Sequence, residues 1–218
     1  VIGCIDPNPI NNGKGIKILR RHKVDVVSGI LQKQARELNK CFFKYITTGI
    51  PYVTLKLAAT MNGKIADFQK NSKWISSAYS RKMVQKLRKE ADAILVGAET
   101  ISRDNPLLTC RAPGYAGKKL KKIILTKSLN VPVDARVFSE GEVYLATTSK
   151  RERNNAHILY FQSKNNQPYL HALADILKGM GITHLLVEGG SEIGSLFLSQ
   201  RLVDRIIFFL APKILGGK

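Results

Sequence analysis

The fold is decided by a stretch that opens with Val53-Thr54-Leu55-Lys56-Leu57-Ala58-Ala59 and closes with Asp104-Asn105-Pro106. Residues 53–59 form an aliphatic, β-branched run, typical of a strand covered on both faces and interrupted only by Lys56. Residues 78–91 repeat apolar side chains at intervals of three and four, which predicts an amphipathic helix. Residues 93–98 predict a second buried strand, and we expect a loop over residues 99–106. Strand, helix and strand in this order predict two parallel strands whose carboxyl ends face one crevice.

The alternation of strands and helices continues to the end of the sequence. Short apolar runs predict strands at residues 122–126, 142–147, 156–161, 183–188 and 205–210. Helical periodicity is present between several of them, at residues 168–179 and 192–201. The fold class predicted is therefore α/β, with a mostly parallel sheet flanked by helices.

Residues 1–48 differ in character from the rest and are expected to form a separate unit. A short helix is predicted at residues 15–22, with Ile16, Leu19 and Ile18 turned inward, and one longer helix at residues 31–45. Half of a domain would expose apolar surface, so we expect this unit to pack on the remainder or on another subunit. Because the sequence starts abruptly in a strand-like segment, we also expect it to be cut from a longer protein.

Composition narrows the class of protein. The 218 residues carry a formal net charge of +19 and three scattered cysteines without metal-ligand spacing. Neither a membrane-spanning apolar run nor a secretion signal is visible, which favours the cytoplasm and excludes a membrane partner. The basic residues are spread along the chain without a nucleic-acid-binding motif, so a phosphorylated small-molecule substrate explains the charge better than nucleic acid.

Candidate site residues lie where predicted strands end. Lys56 is a cation within a buried strand, and it could equally be an extended surface side chain or a partner of Asp104. Glu188 ends a strand and precedes Gly189-Gly190-Ser191, a turn in which glycines can admit a phosphate to backbone amides. Two glycines can also serve the turn alone, and Glu188 could be a surface carboxylate or an ion-pair partner.

Further candidates flank the same crevice. Arg88 and Arg111 suit a phosphate through their paired donors, although both could be solvated charges. Trp74 lies in a polar loop after Ser72 and could pack on the flat ring of a cofactor or in the core. The four histidines, His22, His157, His171 and His184, lack partner spacing and are assigned no chemistry.

In combination, several motifs resemble the bifunctional riboflavin-biosynthesis deaminase/reductase family over nearly the whole chain. They are Asp6-Pro7-Asn8-Pro9, residues 48–59, residues 73–77, residues 104–111, Val187-Glu188-Gly189-Gly190 and residues 211–216. The resemblance implies that residues 1–48 are the tail of a cytidine-deaminase-like domain and residues 49–218 a dihydrofolate-reductase-like domain. It also implies closing strands beyond Lys218.

The deaminase activity of that family requires a zinc site that this sequence lacks. Neither a His-Ala-Glu motif nor a Pro-Cys-x-x-Cys motif occurs in it. We therefore expect no metal here, with zinc confined to the missing part of the parent protein.

The resemblance implies reduction of 5-amino-6-(5-phosphoribosylamino)uracil to its ribitylamino counterpart with NADPH by a homo-oligomer, hydride reaching the ribose C1′. Matched residue by residue, the NADPH contacts would be Ala58, Trp74, Thr100, Asp104, Gly190, Ser191, Glu192, Ile193, Gly194, Ser195 and Leu196. The substrate contacts would be Ser72, Arg88, Leu108, Arg111 and Glu188, with the serine and the arginines at the phosphate. The proton donor stays open among Lys56, Asp104 and Glu188.

Two other functions compete with this one. A reductase of the same fold could act on a pterin or on the pyrimidine before deamination, although residues 1–48 favour the bifunctional family. A basic nucleic-acid-binding module would instead show steeply salt-dependent binding and no NADPH site.

Overall fold

Seven parallel strands form one sheet in the computed structural model, which describes residues 1–67, 77–115, 120–151, 156–165 and 167–216. The strands of this sheet are β1 (Tyr52–Thr60), β2 (Ala93–Gly97), β3 (Lys121–Leu125), β4 (Val143–Thr147), β5 (His157–Tyr160), β8 (His184–Glu188) and β9 (Arg205–Ala211). A separate two-stranded antiparallel pair consists of β6 (Ser163–Lys164) and β7 (Gln167–Pro168). The order across the large sheet is β5-β4-β3-β2-β8-β1-β9. The predicted α/β class with a mostly parallel sheet is confirmed.

Helices cover both faces of the sheet, as the apolar runs of its central strands require. The described helices are α1 (Lys14–Arg21), α2 (Gln32–Leu38), α3 (Lys40–Thr48), α4 (Ala78–Glu90), α5 (Ala98–Asp104), α6 (Leu170–Gly179) and α7 (Ser191–Ser199), with a 3-10 helix at Arg136–Ser139. One core layer contains Leu55, Leu95 and Val187 beneath α6 and α7. The other contains Ile94, Val96 and Leu186 beneath α4 and α5. Successive side chains along each central strand therefore point into opposite core layers.

The strand order creates a crevice between β2 and β8. From β2 the chain continues through α5 to β3, whereas from β8 it continues through α7 in the opposite direction to β9. The helices that follow these two strands also cover opposite faces. Ligands of open α/β sheets bind at such a switch point, outside the carboxyl ends of the strands.

Three expectations for the helices are wrong. The helix predicted at residues 31–45 is divided into α2 and α3 at Asn39, whose side-chain amide donates to the Ala35 carbonyl. The helix α1 buries none of its residues, so Ile18 and Leu19 are exposed rather than turned inward. Residues 98–104 form α5 instead of a loop, because Ile101 is buried and Arg103 pairs with Glu99 one turn earlier.

The segment before β1 packs against the sheet through α3. The Lys44 ammonium pairs with Asp204, whose carboxylate also accepts the backbone N–H of Val53 at 2.8 Å. The Tyr45 hydroxyl donates to the Lys178 carbonyl at 3.0 Å. These contacts tie α3 to β1, to the residue before β9 and to α6.

The amino-terminal end of the sheet is held by polar contacts around Asp92. Its carboxylate accepts the backbone N–H and the hydroxyl of Thr183 at 2.8 and 2.6 Å, and the backbone N–H of His184 at 2.9 Å. The buried His184 ring bonds the Thr54 hydroxyl at 2.9 Å and the Glu90 carbonyl at 3.2 Å. Burial lowers the pKa of His184, which favours the neutral form of the ring. These groups lie opposite the crevice and serve the fold.

Candidate active site

Two candidate residues from neighbouring strands lie side by side at the mouth of the crevice. Lys56 on β1 is the direct partner of Glu188 on β8, and side chains at paired positions of parallel strands point to the same face. The Lys56 ammonium lies 5.9 Å from the centroid of the Phe209 ring on β9, within the range of a cation–π contact. A cation in the middle of β1 and a carboxylate at the end of β8 therefore lie side by side on one face of the sheet.

Arg88 approaches Glu188 from α4 and makes a bidentate ion pair with it. The Arg88 Nε and Nη2 donate to Glu188 Oε1 and Oε2 at 2.8 and 3.0 Å. Both side chains are nearly buried, with 11% and 12% of their areas exposed. Burial opposes the guanidinium charge, but the adjacent carboxylate outweighs it and raises the pKa of Arg88. Glu188 could have been a surface carboxylate or an ion-pair partner, and the ion pair is the arrangement observed.

The segment after α5 is fastened to α4 at several points. Arg88 Nη1 donates to the Thr109 carbonyl at 3.0 Å. Gln85, one turn earlier on α4, accepts the Arg111 backbone N–H at 2.6 Å, and its own carbonyl accepts the Cys110 thiol at 3.5 Å. Arg111 is exposed beyond this anchor. The helix α4 thus fixes the backbone of residues 109–111 and leaves the Arg111 guanidinium at the surface.

Leu108 has an unusual conformation for its residue type. Its φ is 53°, in the left-handed region, while its side chain is buried in the core beneath α5. Non-glycine residues in this region store strain that the surroundings must hold, often near a site. A buried side chain leaves the backbone of Leu108 as the group able to reach a substrate.

The two candidates of α5, Thr100 and Asp104, are one turn apart on a helix that starts directly at the end of β2. Both side chains are half-buried. Asn105 ends the helix with φ 39°, and its side-chain oxygen accepts the Arg136 backbone N–H at 2.8 Å. The Asp-Asn-Pro motif is therefore a helix end rather than a free loop, and Asp104 is the last residue of α5.

The glycine-rich turn after β8 brings bare backbone to the start of α7. Gly190 caps the helix without a side-chain hydrogen bond, so side chains leave the first helical amides uncovered. A Cβ on Gly189 would lie 2.8 Å from the Cβ of Ile193, and one on Gly97 would lie 3.2 Å from its Cγ1. Because Gly97 at the end of β2 and Gly189 just after β8 have no side chains, Ile193 can pack closely there and hold α7 against the sheet.

The remaining candidates of this turn differ in exposure. Ser191, Glu192 and Ser195 are exposed, Ile193 and Leu196 are partly buried, and Gly194 is buried. Glu192 lies 3.7 Å from the Lys127 ammonium at the surface. Ala58 on β1 is partly buried, two residues beyond Lys56 on the same face and paired with Phe209. Residues 191–196 thus follow β8 directly, whereas Ala58 lies on the neighbouring strand β1.

Two candidates fall outside the described residues, namely Ser72 and Trp74. Within the described ranges, no group of three or more His, Cys, Asp or Glu side chains is placed to hold a metal ion. In the same part of the chain, no helix is long and apolar enough to cross a membrane.

Sequence reasoning missed several supporting residues. Gln85 lies three residues before Arg88 on the same side of α4, a spacing that could have identified it. The roles of the Thr109 carbonyl, of Gly97 and of Phe209 carry no local signal, since they depend on contacts between distant segments.

Comparison with known proteins places the chain among riboflavin-biosynthesis proteins. The profile of the RibD C-terminal domain matches residues 51–218. The riboflavin biosynthesis protein RibD of Aquifex aeolicus is 40% identical over 224 residues, which cover 99% of this chain and 62% of that protein. The chain thus spans about three fifths of such relatives.

Solved structures agree with this assignment. Acinetobacter baumannii RibD superposes with a TM-score of 0.89 at 31% identity, over 100% of this chain and 62% of that one. A diaminohydroxyphosphoribosylaminopyrimidine deaminase/5-amino-6-(5-phosphoribosylamino)uracil reductase from Thermotoga maritima superposes with a TM-score of 0.86 at 33% identity, over 100% and 60% of the two chains. The Saccharomyces cerevisiae riboflavin biosynthesis reductase Rib7, at 22% identity and a TM-score of 0.65, shares the fold.

Proposed function

Because the chain belongs to the family of the RibD C-terminal domain, we propose that it reduces 5-amino-6-(5-phosphoribosylamino)uracil to the ribitylamino compound with NADPH. The observation that carries the proposal is the crevice between β2 and β8. It joins Lys56 and the Arg88–Glu188 pair on one side to the uncapped start of α7 on the other. A charged rim for a polar sugar beside bare amides for a phosphate is the arrangement such a reaction needs.

The residues at the start of α7 fit a phosphorylated dinucleotide. Amides without side-chain caps favour a phosphate oxygen, and the glycines let that oxygen approach the backbone closely. When bound, NADPH supplies the hydride. We assign its contacts to Ala58, Trp74, Thr100, Asp104 and residues 190–196, on the family resemblance. The net positive charge of the chain favours both phosphorylated ligands.

The chain's own residues would orient the sugar and donate one proton to O4′. Opening of the ribose breaks the C1′–O4′ bond, the amino nitrogen forms a double bond to C1′, and O4′ takes up a proton. C1′ then accepts a hydride, so the overall reaction consumes one NADPH and one proton. That proton could come from Lys56 within β1, from Asp104 at the end of α5 or from Glu188 at the end of β8. Ser72, Arg88, Arg111, Glu188 and the backbone of Leu108 would hold the substrate, with the serine and the two arginines at its phosphate.

The finer assignments follow the same resemblance. We propose that residues 49–218 form the reductase domain, that residues 1–48 belong to a deaminase domain of the parent protein, and that zinc binds only there. We also propose a cytoplasmic homo-oligomer.

The proposal is tested by titrating the protein with NADPH and following nicotinamide fluorescence, then measuring NADPH consumption with candidate substrates. We expect saturable binding and consumption with the deaminated phosphoribosylaminouracil. Faster consumption with a pterin or with the non-deaminated pyrimidine would identify a different reductase. Absence of NADPH binding together with salt-dependent DNA binding would contradict the proposal.

A further inference from the structure

We propose that Gln85 on α4 is a positioning residue for the substrate phosphate, because it fixes the backbone from which the Arg111 side chain extends. This inference rests on the proposed function, in which Arg111 contacts the phosphate. It adds a residue that touches no ligand itself and yet controls how tightly the phosphorylated substrate is held.

Gln85 bonds two consecutive residues of the segment that follows α5. Its side-chain Oε1 accepts the Arg111 backbone N–H at 2.6 Å, and its backbone carbonyl accepts the Cys110 thiol at 3.5 Å. One turn later on α4, Arg88 Nη1 donates to the Thr109 carbonyl at 3.0 Å. Three consecutive residues are therefore bonded to one turn of α4, and Gln85 supplies the contact at Arg111 itself.

Arg111 lies in a part of the chain without regular secondary structure. Residues 105–112 belong to no helix or strand, so no ladder of backbone hydrogen bonds fixes the position of its Cα. Before Arg111, the buried side chain of Leu108 anchors the segment in the core. After it, residues 113–114 are exposed. The bond from Gln85 thus lies between a buried anchor and an exposed turn.

A fixed backbone matters because the Arg111 guanidinium is joined to it by a long and exposed side chain. A paired contact between an arginine and a phosphate requires a defined distance and direction. Misplacement of a binding group by about 1 Å can cost up to about a hundredfold in rate. Holding the Arg111 N–H on Gln85 restricts the positions that the guanidinium can reach, so less conformational freedom is lost when it binds.

The same bond contributes little to folding. The helix α4 packs on the sheet through the buried side chains of Val84 and Leu87, whereas Gln85 is half-buried. The Arg111 N–H belongs to an exposed residue, so water can replace the acceptor when Gln85 is changed. Loss of the Gln85 side chain should therefore loosen the phosphate contact more than it destabilises the protein.

The test compares the full chain with Gln85→Met, Arg111→Ala and the double variant. Methionine is similar to glutamine in length, and its thioether is only a weak acceptor. Gln85→Asn is a second variant, in case Gln85→Met does not fold, because its amide is one methylene too short for the same bond. Lys86→Met is the matched control, since Lys86 is the next residue on α4 and is exposed.

For each protein, kcat and KM are measured with the phosphorylated substrate and with its dephosphorylated form, and thermal unfolding is recorded. We expect Gln85→Met to raise the KM for the phosphorylated substrate by about three- to tenfold, less than Arg111→Ala does. The kcat values and the KM for the dephosphorylated substrate should change by less than about twofold.

The double variant shows whether Gln85 acts through Arg111. In the Arg111→Ala background, Gln85→Met should have no further effect on KM, because the group that Gln85 positions is already gone. Gln85→Asn should give the same pattern as Gln85→Met, and Lys86→Met should match the parent protein.

Equal increases in KM for both substrates would overturn the inference, because Gln85 would then act on the whole crevice. Additive effects in the double variant would also overturn it, since Gln85 would not act through Arg111. A lower melting temperature with unchanged KM values would assign Gln85 to the fold alone. If the parent protein reduces neither substrate with NADPH, the proposed function fails and the inference fails with it. If the parent reduces both and the Gln85 variants keep its KM values, only the inference is wrong.

Discussion

Replacing Gly189 by alanine should disturb the start of α7 and hence the cradle assigned to NADPH. The added Cβ would lie 2.8 Å from the Cβ and 3.1 Å from the Cγ2 of Ile193. Neither atom is the far end of a flexible side chain, so relief requires α7 to move away from β8. Ile193 packs against the core beneath α6 and α7, which resists that movement.

The magnitude follows from the size of the clash. Forcing one extra methyl group into a packed site costs about 1–3 kcal/mol. In a chain of this length each kcal/mol lowers the melting temperature by about 2–4 °C. Gly190→Ala is the matched control, since a Cβ at Gly190 meets no atom within 4 Å.

The assay is thermal unfolding of both variants, followed by NADPH titration. We expect Gly189→Ala to melt lower than Gly190→Ala and to bind NADPH more weakly than the parent protein. Equal melting temperatures for the two variants would show that Ile193 does not pin α7 to the turn. Unchanged NADPH affinity in a destabilised Gly189→Ala would separate α7 from the cofactor.

Three other outcomes are expected. Arg111→Ala should weaken the phosphorylated substrate by about 1.5–3 kcal/mol, measured as KM, with little change for the dephosphorylated form; an equal loss for both would place Arg111 elsewhere. Burial depresses the pKa of His184, so below about pH 6.5 the unfolded chain binds a proton that the folded chain does not. The free energy of unfolding should therefore decrease as the pH is lowered, by up to about 1.4 kcal/mol per pH unit. His184→Gln should remove this slope and the exposed His157→Gln should retain it. Lys122→Met should cost about 1–3 kcal/mol in denaturant unfolding, because the buried ammonium donates to the Val137 and Glu140 carbonyls, whereas Lys121→Met at the surface should cost less.

The sheet could be predicted because its strands are short apolar runs separated by helical periodicity. Residues 53–59, 93–98 and 183–188 are apolar on both faces, and central parallel strands require that composition. The break at Asn39 and the helix α5 were less predictable. The break depends on one polar contact of the Asn39 side chain, and α5 depends on the burial of Ile101 together with the Arg103–Glu99 ion pair. Apolar periodicity registers neither of these polar contacts.

The candidate site was predictable in location but not in its pairings. A strand end marks Glu188, whereas Lys56 is marked as a cation within an otherwise apolar strand. The partner of Glu188, however, lies a hundred residues away on α4. Arg88 on a basic helix resembles its solvated neighbours in sequence, and only the packing of α4 on the sheet turns it toward the carboxylate. The buried side chain of Leu108 likewise depends on a left-handed backbone conformation that its residue type does not suggest.

The central claim is that the crevice brings a hydride to the ribose C1′. The most direct measurement uses NADPH that carries deuterium at its transferable position, with the phosphoribosylaminouracil substrate, and locates the label in the product by NMR. We expect one deuterium on C1′ of the ribityl chain, with one NADPH oxidised for each product formed. Deuterium on the pyrimidine ring, or product formed without label, would contradict it.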